Sequence, residues 1–212
     1  MNRPAKTMIR SYGICILLSR HPDIRRLKRV HTSSFHGNKF WTSSWLLMDF
    51  FRRRGLPEGT RVLDVGCGWG LAGIYCAKKH NAVVTGVDLD PEVFPYLRLH
   101  ADINKVEIAT MKKAFGGLTA NHLKNFDVLI GADICFWDKQ VYSLKRLINR
   151  ALRAGSRMIL IADPGRPTFD ALAAYFVEKA DAEILTWTIQ RPRRIQGKIL
   201  KVGCLAGSAH DQ

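Results

Sequence analysis

The chain has no apolar run that could cross a bilayer. The apolar core near its start, YGICILL, falls far short of the roughly 18 residues a span requires. No small-x-small cleavage pattern follows it, which disfavours secretion, and no membrane partner is expected. Cysteine is sparse and scattered: Cys15, Cys67, Cys76, Cys135 and Cys204 form no CxxC pair and no Cys/His cluster. That excludes a disulfide framework and a zinc site, and no metal is expected. Acidic residues are also few, 18 against 33 Lys and Arg for a net charge of +15. The excess favours acidic partners such as a protein face, nucleic acid or an anionic surface, and serves solubility equally well. Internal repeats and low-complexity linkers are absent.

What is present is one domain's worth of chain, 212 residues at 47% hydrophobic composition. Residues 1–30 read as an N-terminal arm and 31–212 as the domain. The arm carries Arg20, Arg25, Arg26, Lys28 and Arg29 against the single acid Asp23. It is read as an extra strand or helix on a cytoplasmic protein, with a mitochondrial presequence as the alternative.

Beyond the arm, apolar runs alternate with helical patterns, as in βαβ units. Strands are predicted over 61–65, 82–87, 106–109, 126–132, 157–162, 182–189 and 198–205. Helices are predicted over 71–79, 91–103, 139–154 and 168–179, the second with Asp90 as N-cap and Pro91 at its first position. The last two strands are separated only by RPRRIQG, too little for a helix, so they form a hairpin. The expected fold is α/β: a doubly wound, Rossmann-like seven-stranded sheet with a C-terminal antiparallel hairpin, binding its ligand at the carboxyl ends of the strands.

The stretch VLDVGCGWG places Gly66, Gly68 and Gly70 directly after the first domain strand. A turn without Cβ atoms lets backbone N–H groups approach a ligand, and the following helix points its positive end there. The dinucleotide pattern GxGxxG would need glycine at 71, where Leu71 stands. Strand two then ends in TGVDLD, placing Asp88 where a carboxylate accepts from both hydroxyls of a ribose.

LDVGCGWG followed by GVDLDPE resembles the nucleotide-binding half of seven-strand, S-adenosylmethionine-dependent methyltransferases. The resemblance implies S-adenosyl-L-methionine as cofactor and S-adenosyl-L-homocysteine as product. It places Asp64, Gly66, Cys67, Gly68 and Gly70 at the methionine end, Asp88 at the ribose, and Leu89 and Asp90 on the adenine side.

The tip of strand four reads FDVLIGADICFWD and lacks the Asn/Asp-Pro-Pro-aromatic motif of nucleobase amino methyltransferases. Asp133-Ile-Cys-Phe136 resembles instead the Asp-x-x-Tyr motif of the protein lysine methyltransferase family that includes the electron-transfer-flavoprotein β-subunit enzyme. Phenylalanine replaces tyrosine here, removing a hydroxyl. HGNKFWTSSWLL (36–47) and ADPGRPTF (162–169) are similar to further elements of that family. The resemblance implies catalytic roles for Asp133 and Phe136, with Asp133 also at the cofactor, and a protein substrate, an electron-transfer flavoprotein subunit or another acidic protein.

A carboxylate beside an amine raises the amine's pKa, so Asp133 is expected to orient the amine and not to deprotonate it. Phe136 and Trp137 are expected to form a π-rich wall or to pack as core aromatics. Trp41 and Trp45 are expected on one face of a helix, covering the cofactor or joining the core. His36 is a possible pocket residue, and Arg166 either grips an acidic substrate or ties its loop down. The rival readings are an RNA or small-molecule methyltransferase and a silent cofactor-binding scaffold.

Overall fold

The computed structural model describes residues 7–33, 37 and 39–205. His36, and with it part of the 36–47 segment, lies outside the described residues. The chain opens with two short strands, β1 (Met8–Ser11) and β2 (Ile14–Leu17), then α1 (Pro22–Val30) and α2 (Ser44–Arg54). The sheet domain follows as β3 (Arg61–Val65), α3 (Leu71–His80), β4 (Val83–Asp88), α4 (Phe94–Asn104), β5 (Ala109–Lys112), α5 (Ala120–Leu123) and β6 (Val128–Ala132). It continues with α6 (Asp138–Arg153), β7 (Met158–Asp163), α7 (Pro167–Lys179), β8 (Ala182–Ile189) and β9 (Ile195–Gly203).

Seven strands form one sheet in the order β5-β4-β3-β6-β7-β9-β8. β9 runs antiparallel to both neighbours, while the pairs from β5 to β7 are parallel. This is the doubly wound sheet with its terminal hairpin that the apolar pattern predicts. Alternate residues of each strand face opposite layers. Val62, Val84, Ile130, Leu160 and Ile199 join the core under α2 and α3. Leu63, Val87, Leu129, Ile161 and Leu200 join the core under α6 and α7. Because both faces are covered, these strands read as continuous apolar runs and not as polar-apolar alternation.

Three predicted boundaries move. The strand expected over 106–109 is Ala109–Lys112: Val106 and Ile108 are apolar because they pack against the core on the approach, and pairing to β4 begins at Ala109. The helix expected from 91 is split. Asp90 caps a short 3-10 turn over Pro91–Val93, and Pro95, lacking an N–H, sits in the first turn of an α-helix that starts at Phe94. The last strand begins at Ile195, since its register pairs Ile195 with Ile189 across a tighter turn.

The N-terminal arm contributes both strands and helix. Tyr12 and Gly13 both have positive φ, 53° and 74°, as a two-residue hairpin turn requires, and β1 and β2 form their own sheet. That hairpin docks on α4 through two side chains one helical turn apart. Asn104 Oδ1 accepts from the Cys15 N–H at 2.8 Å, and its Nδ2 donates to the Cys15 carbonyl at 2.8 Å. His100 Nε2 accepts from the Leu17 N–H at 3.1 Å while Nδ1 meets the Tyr96 carbonyl at 2.7 Å, so the docked ring is neutral. Burial lowers the His100 pKa, so the docked hairpin is more stable above the unfolded histidine pKa and loses that stability as pH falls below it.

Asn104→Ala is expected to cost about 2 kcal/mol by leaving the Cys15 backbone groups buried without partners. Hydrogen exchange should show faster exchange at Cys15 and Leu17 in this variant while β3 to β7 stay protected.

Candidate functional site

The carboxyl ends of β3, β4, β5 and β6 open onto one cavity of about 590 Å³. Asp64, Gly66, Cys67, Gly68 and Gly70 line it from the tip of β3 and its turn, Asp88, Leu89 and Asp90 from the end of β4, Asp133 and Phe136 from beyond β6, and Trp41 from the segment before α2. The cavity therefore brings together every cofactor-contact residue that the sequence resemblance implies.

The glycine turn explains its own composition. Gly66 has φ 63°, and a Cβ there would lie 2.6 Å from Ile134. Gly68 has φ 50° and nothing within 4 Å of the Cβ position, so the space beside it is open for a ligand. The Gly68 N–H donates to Asp88 Oδ2 at 3.0 Å, and the Asp90 N–H donates to Asp88 Oδ1 at 3.0 Å. Two backbone donors thus aim the Asp88 carboxylate, and each oxygen keeps a lone pair for a hydroxyl. Burial raises the Asp88 pKa, and these hydrogen bonds pull it back.

Asp64 sits deeper. Its Oδ2 accepts from the Gly73 N–H at 3.1 Å in the first turn of α3, and burial pushes its pKa up to about 7. Burial also raises the Cys67 thiol, which disfavours a thiolate nucleophile.

Asp133 is buried at the tip of β6 with φ 56°, a left-handed conformation uncommon outside glycine. Its Oδ2 accepts from the Ser43 N–H at 2.8 Å, at the N-terminus of α2, and its Oδ1 accepts from Arg166 Nη1 at 3.0 Å. The same Nη1 donates to Asp163 Oδ2 at 2.6 Å. Of the two expectations for Arg166, loop-tying is the one the geometry displays. Asp133, expected to orient an amine, is also held on both oxygens by the protein itself.

Phe136 and Trp41 meet edge to face at 5.1 Å, with Lys39 over the Trp41 ring at 4.2 Å. Trp137 is half exposed at the rim and stands beside Phe136 at 5.6 Å. The expected shared helix face for Trp41 and Trp45 is not formed. Trp41 precedes α2 and lines the cavity, while Trp45 is buried in the core, because the helix begins only at Ser44.

The loop Lys113–Gly116, which no motif marks in the sequence, lines the same cavity and is tied down by the Lys113 N–H to the Asp88 carbonyl at 3.0 Å. The cue was present as small residues directly after a strand end. Trp69 was also unassigned. It stacks on Tyr96 at 5.1 Å and donates from Nε1 to the Gly37 carbonyl at 2.9 Å, anchoring the segment before α2 over the glycine turn. Among the described residues, no cluster of His, Cys, Asp or Glu could hold a metal ion.

Residues 62–155 match the family described as the methyltransferase domain. Over 131 residues the chain is 30% identical to the ubiquinone biosynthesis O-methyltransferase of Xanthomonas oryzae pv. oryzae, covering 62% of this chain and 54% of that protein. It is 25% identical over 142 residues to the electron transfer flavoprotein beta subunit lysine methyltransferase of Xenopus laevis, covering 64% and 56%. The chain spans about half the length of these curated relatives. The tRNA (uracil-54, C5)-methyltransferase of Pyrococcus abyssi, solved with S-adenosyl-L-homocysteine, shares the fold with TM-score 0.55 and 22% identity, covering 92% of this chain and 43% of that one. By their names, these relatives and this neighbour act on oxygen, amine and carbon acceptors.

Asp64→Asn removes a carboxyl whose native pKa lies above the unfolded value of 3.8. The native protein then holds a proton that the unfolded chain has lost, so stability falls as pH rises from about 4 to about 7. The variant is expected to be more stable than wild type by about 2–4 kcal/mol at pH 8 and to show no gain at pH 4, measured by urea unfolding.

Proposed function

We propose that this chain is an S-adenosylmethionine-dependent methyltransferase whose acceptor is the side-chain amine of a protein lysine. The observation that carries this reading is the shared cavity. A glycine turn and an aimed carboxylate line it together with an acid held beside an aromatic wall.

The residues fit the cofactor. Asp88 would hold the ribose hydroxyls, the open face of Gly68 would admit the methionine portion, and Leu89, Asp90 and the Lys113–Gly116 loop would border the adenine. When bound, S-adenosylmethionine supplies an electrophilic methyl group on a sulfonium, which is taken by an in-line lone pair.

A lysine enters this site as an ammonium, with an ordinary pKa of about 10.4, and must shed a proton before it can act as a nucleophile. Asp133 is engaged by Ser43 and Arg166, so the proton passes to water. Asp133 holds the wall and lends negative potential to a cationic amine on arrival. Trp41 and Phe136 exclude water from the reacting end and face cations with their rings, an effect worth roughly 0.5 to 2 kcal/mol. Phe136 lacks the hydroxyl of the family's tyrosine, so its role is lining.

The partner we propose is a protein with an acidic surface, an electron-transfer flavoprotein subunit being the one suggested by the Xenopus relative's name. Lys39 and Lys139 are exposed at the rim, where they would meet it. A nucleic-acid acceptor is the second reading, favoured by the exposed Arg25, Arg26, Lys28 and Arg29 of α1. Among the described residues no helix is long and apolar enough to cross a membrane. We place the protein in a reducing compartment, the cytoplasm ahead of the mitochondrial matrix, where its thiols stay free.

The test is transfer of radiolabelled methyl from S-adenosylmethionine into a lysate, with nuclease and protease arms. Wild type should give a protease-sensitive, nuclease-resistant band, and Phe136→Ala should lower its rate at least about ten-fold. Label removed by nuclease would transfer the proposal to RNA. Cofactor binding with no macromolecular label would leave a small-molecule acceptor or a silent scaffold.

A further inference from the structure

Arg166 adds a side-chain bridge where the paired strands β6 and β7 end, beyond the Asp133 N–H that donates to the Ala162 carbonyl at 2.9 Å. It is the N-cap residue of α7, and its position is fixed by its own neighbours. Asp163 Oδ1 accepts from the Gly165 N–H at 2.9 Å and from the Arg166 N–H at 2.8 Å, which closes the DPGR turn onto the tip of β7. From that fixed backbone the guanidinium bridges Asp163 and Asp133, both nearly inaccessible to solvent, while its own side chain is 23% exposed. Its carbon lies 4.2 Å from the centre of the Phe136 ring. Phe136 therefore has a cation against its ring and the edge-to-face contact with Trp41 besides.

The chain of contacts continues through Asp133. Its second oxygen holds the Ser43 N–H, two residues beyond Trp41, so the strand tip that carries Asp133 also fixes the segment that carries Trp41. The helix N-terminus at Ser43 and the guanidinium together offset the burial of this carboxylate. One guanidinium shared by two buried carboxylates leaves an excess of negative charge behind the aromatic wall. That suits a cationic amine and opposes a phenolate or a phosphate.

We propose that Arg166 is the positioning residue of the acceptor end. It holds Asp133 in its left-handed conformation and braces Phe136 from behind, so that Trp41 and Phe136 meet at the spacing the transfer requires. The inference deepens the methyltransferase reading and rests on it for its catalytic consequence. The structural claim, that Arg166 sets the Trp41–Phe136 wall, stands on the contacts alone. A planar fork that spans two carboxylates and lies against a ring is a task lysine does not reproduce, since its ammonium is a point charge on a flexible stem. Loss of such positioning acts on turnover more than on cofactor affinity, because Arg166 bridges Asp133, Asp163 and Phe136, while Asp88 and the glycine turn, which hold the cofactor in this reading, keep their own hydrogen bonds.

The test uses the full chain labelled with 5-fluorotryptophan, with Trp41→Phe to assign the Trp41 fluorine resonance. Wild type is compared with Arg166→Lys and Arg166→Met. A third variant pairs Arg166→Met with Asp163→Asn, so that a buried carboxylate is removed with its partner and folding is preserved. The Trp41 resonance is expected to shift or broaden in every Arg166 variant. S-adenosyl-L-homocysteine affinity by calorimetry should stay within about three-fold of wild type. Turnover on the labelled acceptor should fall about ten-fold for Arg166→Lys and about a hundred-fold for Arg166→Met, with the cofactor KM unchanged. An unmoved Trp41 resonance would overturn the proposal, as would product affinity falling in parallel with turnover. If wild type neither binds S-adenosyl-L-homocysteine nor transfers methyl, the functional reading fails, and the fluorine spectrum still decides whether Arg166 sets the wall.

Discussion

The Gly68 N–H reaches the Asp88 carboxylate at 3.0 Å, and with the Cys67 N–H on the Val87 carbonyl at 3.0 Å it ties the turn after β3 to the tip of β4. The geometry works only because glycine stands at 66, 68 and 70, each with a positive φ. A Cβ at Gly66 would strike Ile134, and one at Gly70 would lie 2.7 Å from Leu97, so the loop could not lie against the sheet with ordinary residues. With the turn in place, α3 starts where its first N–H groups face Asp64 and the cavity, and Asp88 is left aimed and partly unsatisfied. The remaining lining follows from these two strand tips: the Lys113 loop is tied to the Asp88 carbonyl, and Trp69 anchors the segment that leads to Trp41.

The cavity is electrostatically divided. Asp64 and Asp88 are acids whose pKa values burial raises, so each favours a positively charged or hydroxyl-bearing guest that relieves the cost of ionisation. Asp133 and Asp163 share Arg166, whose guanidinium lies against the Phe136 ring. The exposed surface is basic by contrast, with Lys39 and Lys139 at the mouth. The acidic macromolecule with a cationic side chain that we propose as acceptor would meet both parts, the rim by attraction and the interior by its charge.

What the sequence made legible was local. Gly66, Gly68, Gly70 and Asp88 announce themselves because a turn and a strand tip are short-range features with few chemical solutions, and the apolar runs of the central strands β3, β6 and β7 reflect burial on both faces. What it concealed depends on contacts distant in sequence. Trp41 and Trp45 are four residues apart and look like helical neighbours, but the helix begins between them and sends one to the cavity and the other to the core. Asp133 reads as a carboxylate available to orient an amine until Ser43 and Arg166, 90 and 33 residues away, are seen to occupy its oxygens. The docking of β2 on α4 through His100 and Asn104 spans more than 80 residues and leaves no periodic trace.

The central claim is that the glycine turn and Asp88 form a site for S-adenosylmethionine. Calorimetric titration of the full chain with S-adenosyl-L-homocysteine, beside Asp88→Ala and with NAD as the competing ligand class, addresses it most directly. The account predicts one-to-one binding of S-adenosyl-L-homocysteine, at least about ten-fold weaker in Asp88→Ala, and no comparable affinity for NAD. Tight NAD binding, or S-adenosyl-L-homocysteine binding unaffected by loss of the Asp88 carboxylate, would contradict it.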